Sequence, residues 1–341
     1  MRACVLRNRQ LVIDDVAEPA PGPGQVLVET IACGICGSDL HLVQHWDLVI
    51  ESARAAGRSA FDAAGDLVMG HEFSARVLEL GPGVDNVQPG DAVVAMPVVL
   101  TPEGPARVGY SPGYPGGYGE RMVLLAPVCF KVPDGLDPRH AALTEPMAVG
   151  AHAVAKSGIQ PGDAAVVLGC GPIGLATIGA LRIAGIEPVV AADFSPARRK
   201  LALHMGAHEA VDPEAEPAID AWQRLDGQRP LVIFECVGVK GMLAGAMAAA
   251  PQNARIAVVG VCMEPDTIQP LVGVNKELTV QFCLGYTPEE FSGTLQRIAS
   301  GELDVAPLIT GEVGIAGVPA AFEALRNPDE HAKILVEPAL G

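Results

Sequence analysis

The hydrophobic pattern of the chain changes character near residue 163. Ahead of that point, apolar positions come in short runs broken by Gly and Pro. Val26-Leu27-Val28-Glu29-Thr30-Ile31 follows a turn cluster from Pro19 to Gly24. Phe73 to Leu80 and Val93 to Met96 are set off by Gly81-Pro82-Gly83 and Gln88-Pro89-Gly90-Asp91. Short β-branched runs at regular spacing with Gly/Pro turns predict a small β-barrel. Beyond Asp163 the runs become continuous and alternate with helical segments. Ala164 to Leu168 reads as a buried parallel strand, a Gly-rich turn follows, then an apolar helix from Ile173 to Ala184 and a strand at Val189 to Ala192. Leu231–Phe234, Met242–Ala250, Arg255–Val259 and Leu278–Phe282 continue the alternation. Pro288–Ser300 and Val318–Arg326 are helical in pattern, and Lys333–Val336 reads as a strand returning to the first half. The expected fold class is α/β: a β-barrel domain over 1–148 completed by 285–341, and a doubly wound parallel sheet over 149–284.

Two stretches fit neither pattern. Leu42 to Ile50 is apolar and aromatic, with Trp46 at its centre. Glu51 to Ala64 is Ala-rich, with Arg54, Arg58, Phe61 and Asp62 at helix-compatible spacing. Val98 to Gly119 sets Tyr110, Tyr114 and Tyr118 among Gly and Pro, which reads as surface packing or an interface, with a substrate contact as the alternative.

Composition narrows the function classes. At 341 residues the chain can bury two sizeable cores. No apolar run reaches the ~18 residues of a membrane span, and Met1 to Arg7 carries no secretory h-region. Eight cysteines are scattered, with only Cys33 and Cys36 close together, which argues for a reducing cytoplasm and against a disulfide scaffold. A formal charge of -17 disfavours nucleic acid and anionic membrane as partners.

The candidate chemistry lies in three places. Cys36-Gly37-Ser38-Asp39-Leu40-His41 and Gly70-His71-Glu72-Phe73 could bring a thiolate, an imidazole and a carboxylate onto one Zn²⁺, although a single Cys or His is usually structural. Cys33 and Cys36 match C-x-x-C, but no second pair and no thioredoxin-like pattern supports a redox role. Gly169-Cys170-Gly171-Pro172-Ile173-Gly174 lies between a strand and a helix, with Asp193 ending the next strand about 20 residues on. This is the context of a dinucleotide-binding turn. Asp193 is expected to bond the adenosine ribose hydroxyls and repel a 2′-phosphate, while Arg198 and Arg199 could receive one. Glu145 opens an apolar helix, where a carboxylate also suits the helix dipole. His152, on the apolar face of that helix, reads as a core histidine.

Together with Gly90–Val94, Glu145–Ala148, Phe234–Gly238 and Lys333–Val336, these motifs resemble the zinc-dependent medium-chain dehydrogenases, the alcohol, polyol and butanediol dehydrogenase family. The resemblance spans nearly the whole chain. It implies a GroES-like catalytic domain and a Rossmann cofactor domain. It implies a catalytic zinc on Cys36, His71 and a carboxylate, with Glu145 preferred and Glu72 the alternate. Asp39 would orient His71, and Ser38 and His41 would relay the proton. NAD would contact Gly169, Gly171, Pro172, Ile173, Gly174, Asp193, Arg198, Val237, Val259, Leu284 and Lys333. Many relatives carry four cysteines for a structural zinc where this chain has none, so one zinc per chain is expected. The segment after Leu42 is longer than in many relatives and reads as an insertion, either a surface excursion or a wall over the metal site. The implied reaction is hydride transfer between NAD(H) and a secondary alcohol, ketone or diol, in a homodimer or homotetramer. A polyol or primary alcohol, a zinc-free reductase, and a retired NAD(H)-binding protein remain the alternatives.

Overall fold

The computed structural model describes residues 1–55, 65–101 and 104–341. The expected positions Arg58, Phe61 and Asp62 lie outside the described residues.

The first half is built around the strand Gln25–Gly34. It pairs antiparallel with Glu72–Leu80, with Arg121–Leu125 and with Lys333–Val336. Ala92–Ala95 and Cys129–Lys131 extend the sheet on one side, and Ile309–Val313 on the other. Because the central strand is covered on both faces, most of its residues are buried rather than alternating. Its C-terminal end fixes the site: Gly34 lies opposite Glu72 on one neighbour and Leu335 on the other. A second sheet of Gln10–Asp15, Arg2–Arg7 and Leu67–Val68 closes over the same core, which includes Leu42, Phe73, Met122 and Tyr118.

The second half is a six-stranded sheet, parallel throughout. The order is Glu209–Val211, Val189–Ala192, Ala164–Leu168, Leu231–Glu235, Arg255–Val258, Thr279–Phe282. The direction of winding reverses between Ala164–Leu168 and Leu231–Glu235. Ligands of such sheets bind there, outside the carboxyl ends of the strands. The helix Pro172–Ile183 begins directly after the Gly turn and packs close to Ala164–Leu168. A Cβ at Gly174 would collide with the Gly169 carbonyl, so only Gly allows this tight strand-to-helix junction. The helix Thr144–Ser157 packs on both Pro172–Ile183 and Pro288–Ala299, tying the halves together. It spans residue 148, where the sequence pattern set a domain boundary. No helix among the described residues is long and apolar enough to cross a membrane.

The stretch after Leu42 forms a helix over Trp46–Ala55, earlier than the Ala-rich run at Glu51 suggested. Arg9 pairs with Asp47 at 2.6 Å, and Arg7 pairs with Asp66 at the same distance. Trp46 lines a recess with Leu6, Asn8, Arg9 and Gly65. The segment is thus fastened to the N-terminal hairpin, and Trp46 faces that hairpin.

Candidate active site

The helix Gly37–Gln44 begins at Cys36, whose backbone N–H donates to Asp39 Oδ2 at 3.2 Å. This bond turns the Asp39 side chain back into the barrel, where it is fully buried. Tyr110 donates to Asp39 Oδ1 and Tyr118 to Oδ2, each at 2.6 Å. His71 Nδ1 lies 3.5 Å from Asp39 Oδ1, at the long edge of a hydrogen bond. Burial pushes the Asp39 carboxyl upward, but His71 and the two tyrosine hydroxyls outweigh it and hold the carboxyl below its ordinary range.

His71 is reached through Gly70, whose φ is +99°. A Cβ at Gly70 would stand 2.8 Å from the Tyr118 ring and 2.9 Å from Cys33 Sγ. Position 70 therefore requires glycine for both conformation and space. The ligand atoms of Cys36, His71 and Glu72 all lie within 4.8 Å of one another. With Nδ1 turned to Asp39, Nε2 is the nitrogen available to a metal. Burial disfavours imidazolium at His71, yet Asp39 and Cys36 raise its pKa well above the usual value. Burial raises the Cys36 thiol, Glu72 adds to this, and His71 opposes it. Charges that favour a proton on His71 also favour a cation between these groups.

Glu72 is 1% exposed. Its Oε2 accepts from Lys333 Nζ at 2.6 Å, and Lys333 also donates to the Ile35 carbonyl at 2.9 Å. Glu72 Oε1 is buried with no hydrogen-bond partner among the described residues. A buried, unpartnered carboxylate oxygen beside a thiol and an imidazole suits a divalent metal, and this donor set suits zinc. The carboxylate brought to Cys36 and His71 is therefore Glu72, not Glu145, which the sequence reading preferred. Glu145 stands outside this trio and accepts from the Tyr286 hydroxyl at 2.9 Å. Burial lifts its pKa to about 7, with His71 pulling it down and Glu72 pushing it up.

Ser38 is exposed beside this cluster. Its Oγ lies 3.2 Å from Cys36 Sγ and 2.8 Å from the Tyr110 hydroxyl. His41 Nδ1 is buried without a partner among the described residues. Burial, then His45, lowers the His41 pKa. No bond joins Ser38 to His41, so a proton passing between them needs a bridging group. His152 bonds Glu290 at 2.8 Å, consistent with its core reading.

On the cofactor side, Gly169, Gly171, Pro172, Ile173 and Gly174 follow one strand, Asp193 the next, and Val237, Val259 and Leu284 lie beyond three others. Asp193 accepts from Cys170 N at 2.7 Å and Ser195 N at 2.9 Å, which holds its carboxylate over the Gly turn. Arg199 is engaged with the Asp193 and Phe194 carbonyls and Asp212. Arg198 reaches toward Gly171, and its Nε is buried without a partner among the described residues. Lys333, expected at the cofactor, donates its ammonium protons to Glu72 and the Ile35 carbonyl.

Four roles escaped the sequence reading. Glu235 is buried and accepts from the amides of Val237 and Gly238 at 2.7 and 2.8 Å, shaping the loop at the switch point. Tyr286 meets Glu145. Tyr110 and Tyr118, read as surface or interface tyrosines, are buried on Asp39. Backbone bonds from Gly116, Gly117 and Tyr118 to the carbonyls of Val68, Gly70 and Met69 draw that loop inward. Its Gly/Pro composition had concealed this.

A cysteine–histidine–carboxylate cluster in the barrel half and a dinucleotide-type sheet in the other are the two parts that a metal-dependent oxidoreductase combines. The profile of the alcohol dehydrogenase GroES-like domain matches residues 22–134, and that of the zinc-binding dehydrogenase domain matches residues 172–300. The (R,R)-butanediol dehydrogenase of Bacillus subtilis is 32% identical, covering 99% of this chain and 100% of the relative. The sorbitol dehydrogenase of the same organism is 27% identical, over 99% of this chain and 97% of the relative. A Sinorhizobium meliloti structure described as a zinc-binding dehydrogenase bound to NADP is similar with a TM-score of 0.84. It is 28% identical and covers 99% of both chains. The chain belongs to the zinc-dependent medium-chain dehydrogenase family, whose members are alcohol-type oxidoreductases.

Proposed function

We propose that the protein is an NAD-dependent alcohol dehydrogenase with one zinc per chain, acting on a secondary alcohol or a vicinal diol and the corresponding ketone. The observation that carries this reading is the unpartnered Glu72 Oε1 beside Cys36 and His71, with the exposed Ser38 hydroxyl next to them. Zinc on Cys36, His71 and Glu72 would supply Lewis acidity that lowers the pKa of a substrate hydroxyl, and the nicotinamide would accept hydride. Ser38 would take the hydroxyl proton, with His41 beyond it. Asp39 orients His71. The Gly169–Gly174 turn and the start of the helix at Pro172 receive the pyrophosphate, and Asp193 receives the adenosine ribose.

The single-zinc reading is supported by the Val98–Gly119 loop, which offers no cysteine. The diol reading rests on the butanediol and sorbitol dehydrogenases among the relatives. The other partner is a second copy of the chain. Thr279–Phe282 forms an edge of the parallel sheet, flanked by exposed Leu271, Val274, Phe282 and Leu284, and a free apolar edge favours strand pairing. NADH formation over a panel of secondary alcohols, diols, polyols and primary alcohols, with the metal measured in the same sample, tests the function. Oxidation of butane-2,3-diol by a zinc-containing sample supports it; no oxidation of any alcohol by that sample contradicts it.

A further inference from the structure

We propose that Tyr110 is a positioning residue for Ser38, fixing the direction in which the serine hydroxyl donates its proton. The inference rests on the alcohol dehydrogenase reading and assigns a task to the tyrosine loop that stands where many relatives carry cysteines.

Tyr110 has one hydroxyl proton, and its hydroxyl meets both Asp39 and Ser38. The Asp39 carboxylate, at 2.6 Å, only accepts, and this distance is typical of a charge-assisted O–H···O⁻ bond. A phenol is a far weaker acid than a carboxylic acid, so the shared proton stays on the tyrosine. With that proton directed to Asp39, Tyr110 meets Ser38 at 2.8 Å as an acceptor. Ser38 then donates to Tyr110 in preference to Cys36 Sγ at 3.2 Å. The Ser38 lone pairs are left to accept the proton released by a substrate hydroxyl. Tyr110 does not carry that proton away; it orients Ser38 to receive it, and as Ser38 takes the substrate proton it releases its own to the solvent at its exposed face, so the hydroxyl stays neutral.

Two features keep the arrangement rigid. Tyr118 occupies the other Asp39 oxygen at 2.6 Å, so the carboxylate cannot rotate away from Tyr110. The loop is also bonded along its backbone to the segment just ahead of His71, at Val68, Met69 and Gly70. The Tyr110 ring lies 5.2 Å from the His71 ring, so Tyr110→Phe removes the hydroxyl while keeping that packing.

The test is a double-mutant cycle with butane-2,3-diol and NAD. Proton magnetic resonance provides a readout independent of turnover. Tyr110→Phe should lower kcat about tenfold or more, with KM for NAD and Tm close to parental. Ser38→Ala should lower kcat roughly 10²-fold, and the double variant should be no slower than Ser38→Ala alone, because the tyrosine acts only through the serine. Tyr118→Phe removes an equivalent bond to Asp39 without touching Ser38, and should lower kcat less than Tyr110→Phe does. A low-field hydroxyl resonance from the short Tyr110–Asp39 bond should persist in Ser38→Ala and vanish in Tyr110→Phe. Parental kcat in Tyr110→Phe, or losses that multiply in the double variant, would overturn the inference alone. A parent that oxidises no alcohol would remove the alcohol dehydrogenase reading and this inference with it.

Discussion

Lys333 Nζ lies 2.6 Å from Glu72 Oε2, with both side chains almost wholly buried and 261 positions apart in the chain. The pair joins the last barrel strand to the strand that begins at Glu72. Burial disfavours the Lys333 charge, but Glu72 and Cys36 raise its pKa above the ordinary value. Removing one partner of such a pair strands the other charge, at a cost of roughly 3–5 kcal/mol. Lys333→Met should therefore lower the unfolding free energy of the metal-stripped protein by about that amount, and Lys333→Met/Glu72→Gln should recover most of it. Denaturant unfolding of the three proteins measures this; a Lys333→Met protein of parental stability would contradict it.

Cofactor choice is expected to follow Asp193. Its carboxylate is fixed by two backbone amides where an adenosine ribose would lie. kcat/KM should favour NAD over NADP by at least about tenfold, equivalent to ~1.4 kcal/mol. Asp193→Ala should narrow that ratio. If the parent uses both equally, Arg198, whose guanidinium reaches the same turn, has captured the 2′-phosphate.

Glu145 gives a pH dependence with a definite sign. Burial lifts its pKa to about 7, so above the ordinary carboxylate range the folded protein keeps a proton that the unfolded chain has lost. Stability of the metal-stripped protein should fall as pH rises from about 4.5 toward 7, the window between the two pKa values. Glu145→Gln cannot titrate and should lose less Tm between pH 5 and pH 8 than the parent. Equal losses in both would mean that Glu145 is ionised throughout.

The segment after Leu42 is expected to contribute to stability more than to substrate choice. Trp46 lies in a recess against the N-terminal hairpin, and Asp47 is held by Arg9. Trp46→Ala should cost about 2 kcal/mol, the scale of losing a partly buried aromatic. Arg9→Ala should cost at most ~1 kcal/mol because the pair is exposed. The ranking of alcohols by kcat/KM should be unchanged in both; a selective loss of bulky substrates in Trp46→Ala would show that the segment reaches the pocket.

Sequence legibility followed the distance over which each feature is determined. The strand, Gly turn and helix from Ala164 to Ile183 are contiguous, and their glycines and apolar run carry the geometry directly. That Cys36, Ser38 and His71 could come together was legible because each lies in a short motif. Which carboxylate stands beside Cys36 and His71 was not, because it depends on the register that sets Gly34 opposite Glu72 and Leu335. The role of Lys333 depends on the same pairing. Tyr110 and Tyr118 were misread because a Gly/Pro loop suggests a surface. Their burial comes from backbone pairing with residues 68–70, about which the tyrosines themselves carry no signal.

The central claim is that Cys36, His71 and Glu72 hold the metal on which turnover depends. Its most direct test is the zinc content of the purified parent and Cys36→Ala proteins, each measured with its rate of NADH formation on butane-2,3-diol. The parent is predicted to hold one zinc per chain. Cys36→Ala is predicted to lose both zinc and turnover while still binding NADH, because Cys36 lies outside the two hydrophobic clusters that pack the parallel sheet. A Cys36→Ala protein that oxidises the diol at the parental rate would contradict the claim.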